Sequence, residues 1–278
     1  MSFTTHPYKR PTIGNIEELD ASSLDEVKQF HATFYRPDNA VLVVAGDFEP
    51  ADLQKWVDQY FGPIPKPETP VPRVTAMEPP RTGERTLRDS SPKIPLPALA
   101  VTYLGPAITS EEAPALQVLQ QALSGGASSR LYRVLVYEKE LAQTAQFAAD
   151  LRTDLGLLTF QLILASGVDV AKARAALLEE VKKIAEAPIS AAELTTAKNQ
   201  LLASQLAERE TCDGKASALA EAAAIHGDPG RVNSDLAKLE AVTAEQVQAA
   251  AKKWFTDDNR LVLEYLPVSA TPKGKEKK

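Results

Sequence analysis

Ten prolines fall within residues 63–97, at positions 63, 65, 67, 70, 72, 79, 80, 92, 95 and 97. Proline lacks a backbone N–H and locks φ, so neither a helix interior nor a central strand runs through such a stretch. The segment predicts an extended, semi-rigid strap. A docking motif for a proline-binding module is the less economical reading. Any fold must therefore be built from residues 1–62 on one side and the chain from residue 98 on the other. A length of 278 residues agrees with roughly two domains.

Apolar residues make up 44% and charged residues 24% of the chain, ordinary values for a sequence that buries a core. A net charge of −6 without a basic stripe argues against nucleic acid as a partner. No run of about 18 apolar residues is present, so no membrane-spanning helix is expected. The opening MSFTTHPYKRP lacks the apolar core of a secretory leader. With the single cysteine Cys212 no intrachain disulfide can form, and the compartment is not readable from redox chemistry.

Residues 1–62 begin with a proline-flanked loop, HPYKRPTIGN. Ser23 and Glu26 fit a capping box that opens a helix, and Val27, Phe30 and Phe34 share one face of it. Pro37 ends this helix, and Arg36 before it is driven out of the helical region. Asn39 to Ala45 (NAVLVVA) predicts a buried strand closed by Gly46-Asp47. Leu53, Trp56, Val57 and Tyr60 form the apolar face of a second helix, stopped at Gly62-Pro63. One strand cannot cover two helices, so this segment needs more sheet from elsewhere.

Residues 98–267 read as a fuller unit. A strand at Ala98–Leu104 precedes a helix capped by Thr109 or Ser110 and carrying Leu116, Leu119 and Leu123. Ser124-Gly125-Gly126-Ala127 breaks that helix, and another follows from Ser129 to Lys139. Strands at 142–149 and 156–165 flank the polar turn Arg152-Thr153-Asp154, a hairpin pattern. A helix carries Val170, Leu177, Val181 and Ile184 up to Pro188, and a Ser190/Glu193 capping box starts the next. Residues 211–226 and 231–240 predict helix, Thr243 and Gln246 cap a last one, and Leu261–Leu266 predicts a final strand. The order predicts an α+β fold, two-layer, with helices on one face of a largely antiparallel sheet. Residues 268–278 (VSATPKGKEKK) predict a disordered tail. The capped helix, aromatic pair, Asp-Asn turn and apolar strand of residues 243–266 echo those of residues 23–45, as two copies of one fold would.

The histidines number three, His6, His31 and His226, and no two stand at i, i+4. Neither H-E-x-x-H nor H-x-x-E-H is present, which argues against a self-contained zinc site. His31 reads as a boundary residue of its helix, and His226 as a cation suited to a helix C-terminus. Cys212 has no histidine nearby in sequence, no G-x-S-x-G occurs, and Ser124–Ser129 lacks the Gly-Lys-Ser/Thr ending of a phosphate loop. Acidic pairs such as Glu179-Glu180 read as solvated helix faces. No catalytic residue and no metal ligand is assigned.

His6-Pro7-Tyr8, Pro11, Gly14, Phe34-Tyr35, Pro37, Asn39, the Val41–Val44 run and Gly46-Asp47 together resemble the zinc metallopeptidase family of pitrilysin, insulin-degrading enzyme and mitochondrial processing peptidase. Ser129-Arg130-Leu131-Tyr132, Leu135 and Glu140-Leu141-Ala142 continue the resemblance. It implies two-layer α+β domains, with residues 1–62 the back part of a first, peptidase domain, 63–97 the linker and 98–267 a complete second, non-catalytic domain. It implies that the zinc (Zn) of the intact subunit is held by a motif preceding the HPY loop, and that this chain alone binds no cofactor and cleaves nothing. It further implies substrate contacts at His6, Tyr8, Gly125 and Gly126. The family's substrate-holding arginine and tyrosine align with Val136 and Gln143, so both are replaced; valine offers none of a guanidinium's forked donors. The implied partners are a second family subunit carrying that pair, or a second copy in a dimer, with peptide as the substrate of the intact enzyme. A non-catalytic structural or assembly subunit is the alternative. The compartment stays open between bacterial periplasm and cytoplasm.

Overall fold

A computed structural model of the chain describes residues 2–268. The expected tail therefore lies outside the described residues, apart from Val268. The chain divides into two compact units, one of Phe3–Pro79 with Gln205–Asp235, the other of Pro80–Ser204 with Leu236 onward.

The second unit is built on five strands: β1 (Arg85–Ser91), β2 (Ala98–Gly105), β3 (Ala142–Asp150), β4 (Gly156–Leu164) and β5 (Arg260–Pro267). Their order is β1-β5-β2-β4-β3. β5 runs parallel to β1 and antiparallel to β2, and the β2–β4 and β3–β4 pairs are antiparallel. The α+β, largely antiparallel architecture expected from the sequence is thus present, and the 142–149/156–165 hairpin forms with a bulge between Ala142 and Thr144.

Helices α4 (Ala113–Ser124), α5 (Val170–Glu186) and α9 (Ala244–Trp254) belong to this unit. The intervening helices are α6 (Ala191–Glu208), α7 (Cys212–His226) and α8 (Asp235–Ala241). Leu116, Leu119, Leu123, Leu177, Ile184 and Val247 are completely buried against Leu99, Val101, Leu158, Phe160 and Leu162 of the strands. Tyr103, Phe147, Phe160 and Phe255 form an aromatic cluster at the centre, with ring centroids between 4.5 and 6.2 Å apart.

Two expectations are corrected. Arg85–Ser91, read as part of an unbroken strap over 63–97, is strand β1 instead. Its sequence RTLRDSS has no apolar alternation; it is held by parallel pairing with β5 along its whole length, and ion pairs flank that pairing. Arg88 is paired across to the buried Glu264 of β5 at 2.6 Å, and Arg260 of β5 reaches back to Glu84 at 2.5 Å. Arg174 of α5 bonds Glu84 as well. The second correction concerns residues 40–45, which adopt no strand. Val41, Leu42 and Val44 are 50, 59 and 44% exposed. Apolar content makes a strand possible, but a strand is held by neighbours that take its backbone hydrogen bonds, and no strand pairs with residues 40–45 among the described residues.

The first unit contains α1 (Ile16–Ala21), α2 (Leu24–Phe34) and α3 (Pro50–Tyr60), and none of them buries a residue. The Ser23/Glu26 capping box forms as expected. Arg36, which is buried, bonds Asp38 with two nitrogens and donates to the carbonyls of Pro67 and Thr69, so it pins the proline-rich segment within this unit.

The echo between the two segments is structural in its capped helix and Asn turn, but not in the strand. Asn39 Nδ2 donates to the Phe34 carbonyl at 2.9 Å, and Asn259 Nδ2 donates to the Trp254 carbonyl at 2.9 Å, both five residues back. The Asn259 side chain also accepts from Leu104 N on Oδ1 and donates from Nδ2 to Leu104 O of β2, standing in for a paired strand backbone.

Replacing Phe160 with alanine removes the ring at the centre of the cluster. The expected loss is about 3–5 kcal/mol of unfolding free energy, read from the midpoint of urea denaturation.

Candidate functional site

The HPY loop folds around a carboxylate supplied from far along the chain. Thr4 N and Oγ1 donate to Glu78 Oε1 at 2.6 and 2.7 Å, and Thr5 N and His6 N donate to Glu78 Oε2 at 2.8 Å each. Burial alone would raise this carboxyl, but the four donors, led by the His6 amide, outweigh it and hold Glu78 at about 2. His6 is buried and caps the turn Pro7–Lys9, its Nδ1 accepting from Tyr8 N at 3.3 Å. The His6 and Tyr8 rings meet edge-to-face at 4.2 Å, and Tyr8 is only half-buried. Glu78 was not visible in the sequence: a lone glutamate before Pro79-Pro80 gives no sign of a partner 72 residues away.

Gly125 and Gly126 lie in the other unit, just past α4. A Cβ on Gly125 would sit 2.4 Å from the Gln121 carbonyl oxygen, and Gly126 holds φ at +95°, so each position demands glycine for its own reason. Ser124 before them accepts a hydrogen bond on Oγ from Phe147 N at 2.5 Å.

The helix expected over 129–139 is a π-helix at Tyr132–Glu138, with Lys139 N bonded to Val134 O at 3.0 Å. Glu140 beyond it sits at φ +51°. Val136 on this turn is partly buried against the core, and Gln143 is exposed on β3. Neither side chain can donate the forked, charged pair of a guanidinium. The neighbouring Arg130 is a structural residue: it bonds Glu193 bidentately at 2.8 and 2.7 Å. Glu193 also accepts from Ser190 N and Oγ, closing the capping box that opens α6. Burial would raise Glu193, but Arg130 and Ser190 together hold it at about 2.

The donor set does not fit a zinc ion. His31 stacks on Tyr35 at 4.9 Å, His226 Nδ1 lies 2.8 Å from Arg231, and His6 caps its own turn. Among the described residues no group of three or more His, Cys, Asp or Glu is placed to hold a metal.

Residues 22–201 match the family described as the peptidase M16 inactive domain, and the chain belongs to it. An uncharacterized zinc protease of Mycobacterium bovis is 28% identical over 260 residues, covering 90% of this chain and 57% of that protein. Zinc protease PqqE of Helicobacter pylori is 30% identical over 189 residues, covering 66% of this chain and 42% of that one. A crystal structure of a protease from Helicobacter pylori superposes with a TM-score of 0.89 at 22% identity, over 96% of this chain and 64% of that chain. The chain therefore spans less than two thirds of the length of these proteins.

Arg130→Ala leaves Glu193 partly buried without its ion partner, keeping only the Ser190 hydrogen bonds. The expected cost is about 1–3 kcal/mol, between the values for exposed and buried pairs, measured by denaturant unfolding at pH 7. Glu193 has a lowered folded-state value, so its contribution is full above about pH 4.5 and is lost as pH falls toward 2. The difference between wild type and Glu193→Gln should shrink over that window.

Proposed function

We propose that this chain is part of a zinc-dependent endopeptidase subunit, where it supplies chamber wall and partner-facing surface and takes no part in bond cleavage. The observation that carries the reading is the uncovered apolar surface of residues 13–64. Ile13, Ile16, Leu19, Leu24, Tyr35 and Tyr60 are each at least 65% exposed. Surfaces of this kind mark contacts with other polypeptide. The echo supports the same reading: the strand after Asn259 lies between two others, while the matching segment after Asn39 has none. Residues 1–62 then form the back part of a first domain, the proline-rich segment links it onward, and residues 98–267 form the second, non-catalytic domain.

Zinc belongs in this reading to a part of the intact subunit outside these residues, where it activates the water that hydrolyses peptide. The chain's own residues bind and position. Gly125 and Gly126 let a substrate backbone approach closely, and His6 and Glu78 hold the turn that presents Tyr8. The partner is a second family subunit bearing the Arg/Tyr pair that Val136 and Gln143 replace, or a second copy of this chain. A structural or assembly subunit is the second reading, favoured by those same two replacements.

Metal analysis of the purified 278-residue chain should find no stoichiometric zinc, and the chain alone should cleave no peptide. One tightly bound zinc per chain would overturn the proposal. Zinc-dependent proteolysis on mixing the full-length subunit with a partner carrying the Arg/Tyr pair would exclude the structural reading. Light scattering should show association that rises with concentration, weakened about tenfold or more by Trp56→Asp, which places a charge on the exposed α3 face.

A further inference from the structure

The two edges of the five-stranded sheet are defended differently. Edge strand β1 carries Arg85, Arg88 and Asp89, charges that discourage a further strand. Edge strand β3 has neither a charge nor a proline from Ala142 to Ala149 (AQTAQFAA), and its bulge lies at one end, between Ala142 and Thr144. The remaining stretch is regular and pairs with β4 residue for residue. Bare edges of this composition are templates for strand addition.

Two outward backbone donors of β3 nevertheless have side-chain partners on α4. Phe147 N donates to Ser124 Oγ at 2.5 Å, and Ala149 N donates to Gln120 Oε1 at 2.7 Å. Gln120 and Ser124 are four residues apart on α4, a spacing of about 6 Å along a helix axis. Phe147 and Ala149 are two apart on β3, a spacing of about 6.8 Å along a strand. The two periods nearly coincide, so one helix face can present acceptors where a neighbouring strand would present carbonyls. α4 runs antiparallel to β3 in this contact, Gln120 meeting Ala149 and Ser124 meeting Phe147.

We propose that Gln120 and Ser124 of α4 form a side-chain lock that closes the free edge of β3 to strand addition by a second copy of this chain. The lock replaces the charges that the sequence of β3 lacks. It also explains the end of α4: Ser124 is the last helical residue, and Gly125-Gly126 turn the chain away directly after the acceptor is in place. The lock is independent of the apolar surface of residues 13–64 and of any peptidase role.

Amide hydrogen exchange on the full chain tests it. Phe147 and Ala149 should exchange at least tenfold more slowly than an unpaired edge amide. Ser124→Ala should speed Phe147 tenfold or more and spare Ala149; Gln120→Ala should do the reverse. Ser124→Thr keeps the hydroxyl and should keep Phe147 protected. In a Trp56→Asp background, which suppresses association through α3, Gln120→Ala/Ser124→Ala should form dimers or larger species with rising concentration in sedimentation velocity, while Trp56→Asp alone should not. Wild-type Phe147 and Ala149 exchanging as fast as unpaired amides would overturn the lock without any variant. A double variant that exchanges freely yet stays monomeric would overturn its role against strand addition.

Discussion

The second unit depends on one insertion: β5, the last strand in the chain, lies between β1 and β2 and pairs with both. Without it the sheet separates into β1 alone and the three strands β2, β4 and β3. Leu261 and Val262 of β5 are buried, and Val262 joins the core. Asn259 prepares the insertion by bonding the backbone of Leu104 at the end of β2. Glu264 receives Arg88 from β1 at the other side. The partners are more than 150 residues apart in sequence, so completing this sheet carries the loop-closure entropy of a long chain segment.

Backbone pairing with β5, reinforced by ion pairs around Glu264, keeps a strand of poor intrinsic propensity in place. Arg85–Ser91 offers arginine, aspartate and serine where strands favour β-branched and aromatic residues. Arg88, Arg174, Arg260, Glu84 and Glu264 form a connected network across β1, β5 and α5. A buried carboxylate needs such partners, because an unpaired charge there would cost several kcal/mol. The same network orients α5 against the sheet edge.

The first unit shows the same sequence logic without the same outcome. Its capped helix, its aromatic pair and its Asn39 reproduce those of the last helix–strand segment, down to the hydrogen bond five residues back. Most large apolar side chains of its helices α1, α2 and α3 are exposed. What the two segments do not share is a pair of neighbouring strands.

Local chemistry was legible in the residues themselves. Capping boxes at Ser23, Ser190 and Thr243 mark three helix starts because each depends on side chains three residues apart. The hairpin at Arg152–Asp154, the break at Gly125-Gly126 and the core periodicity of α4 and α5 are equally local. The family was legible from the order and spacing of its motifs. Only the tertiary structure decided that Arg130 serves α6 through Glu193, that Glu78 organises the HPY loop, and that Gln120 and Ser124 face the backbone of β3. Only it decided that RTLRDSS is a strand and AVLVVA is not. A helix satisfies its backbone within itself and can be read from one segment, whereas a strand or a buried ion pair exists only through partners that the chain brings from elsewhere.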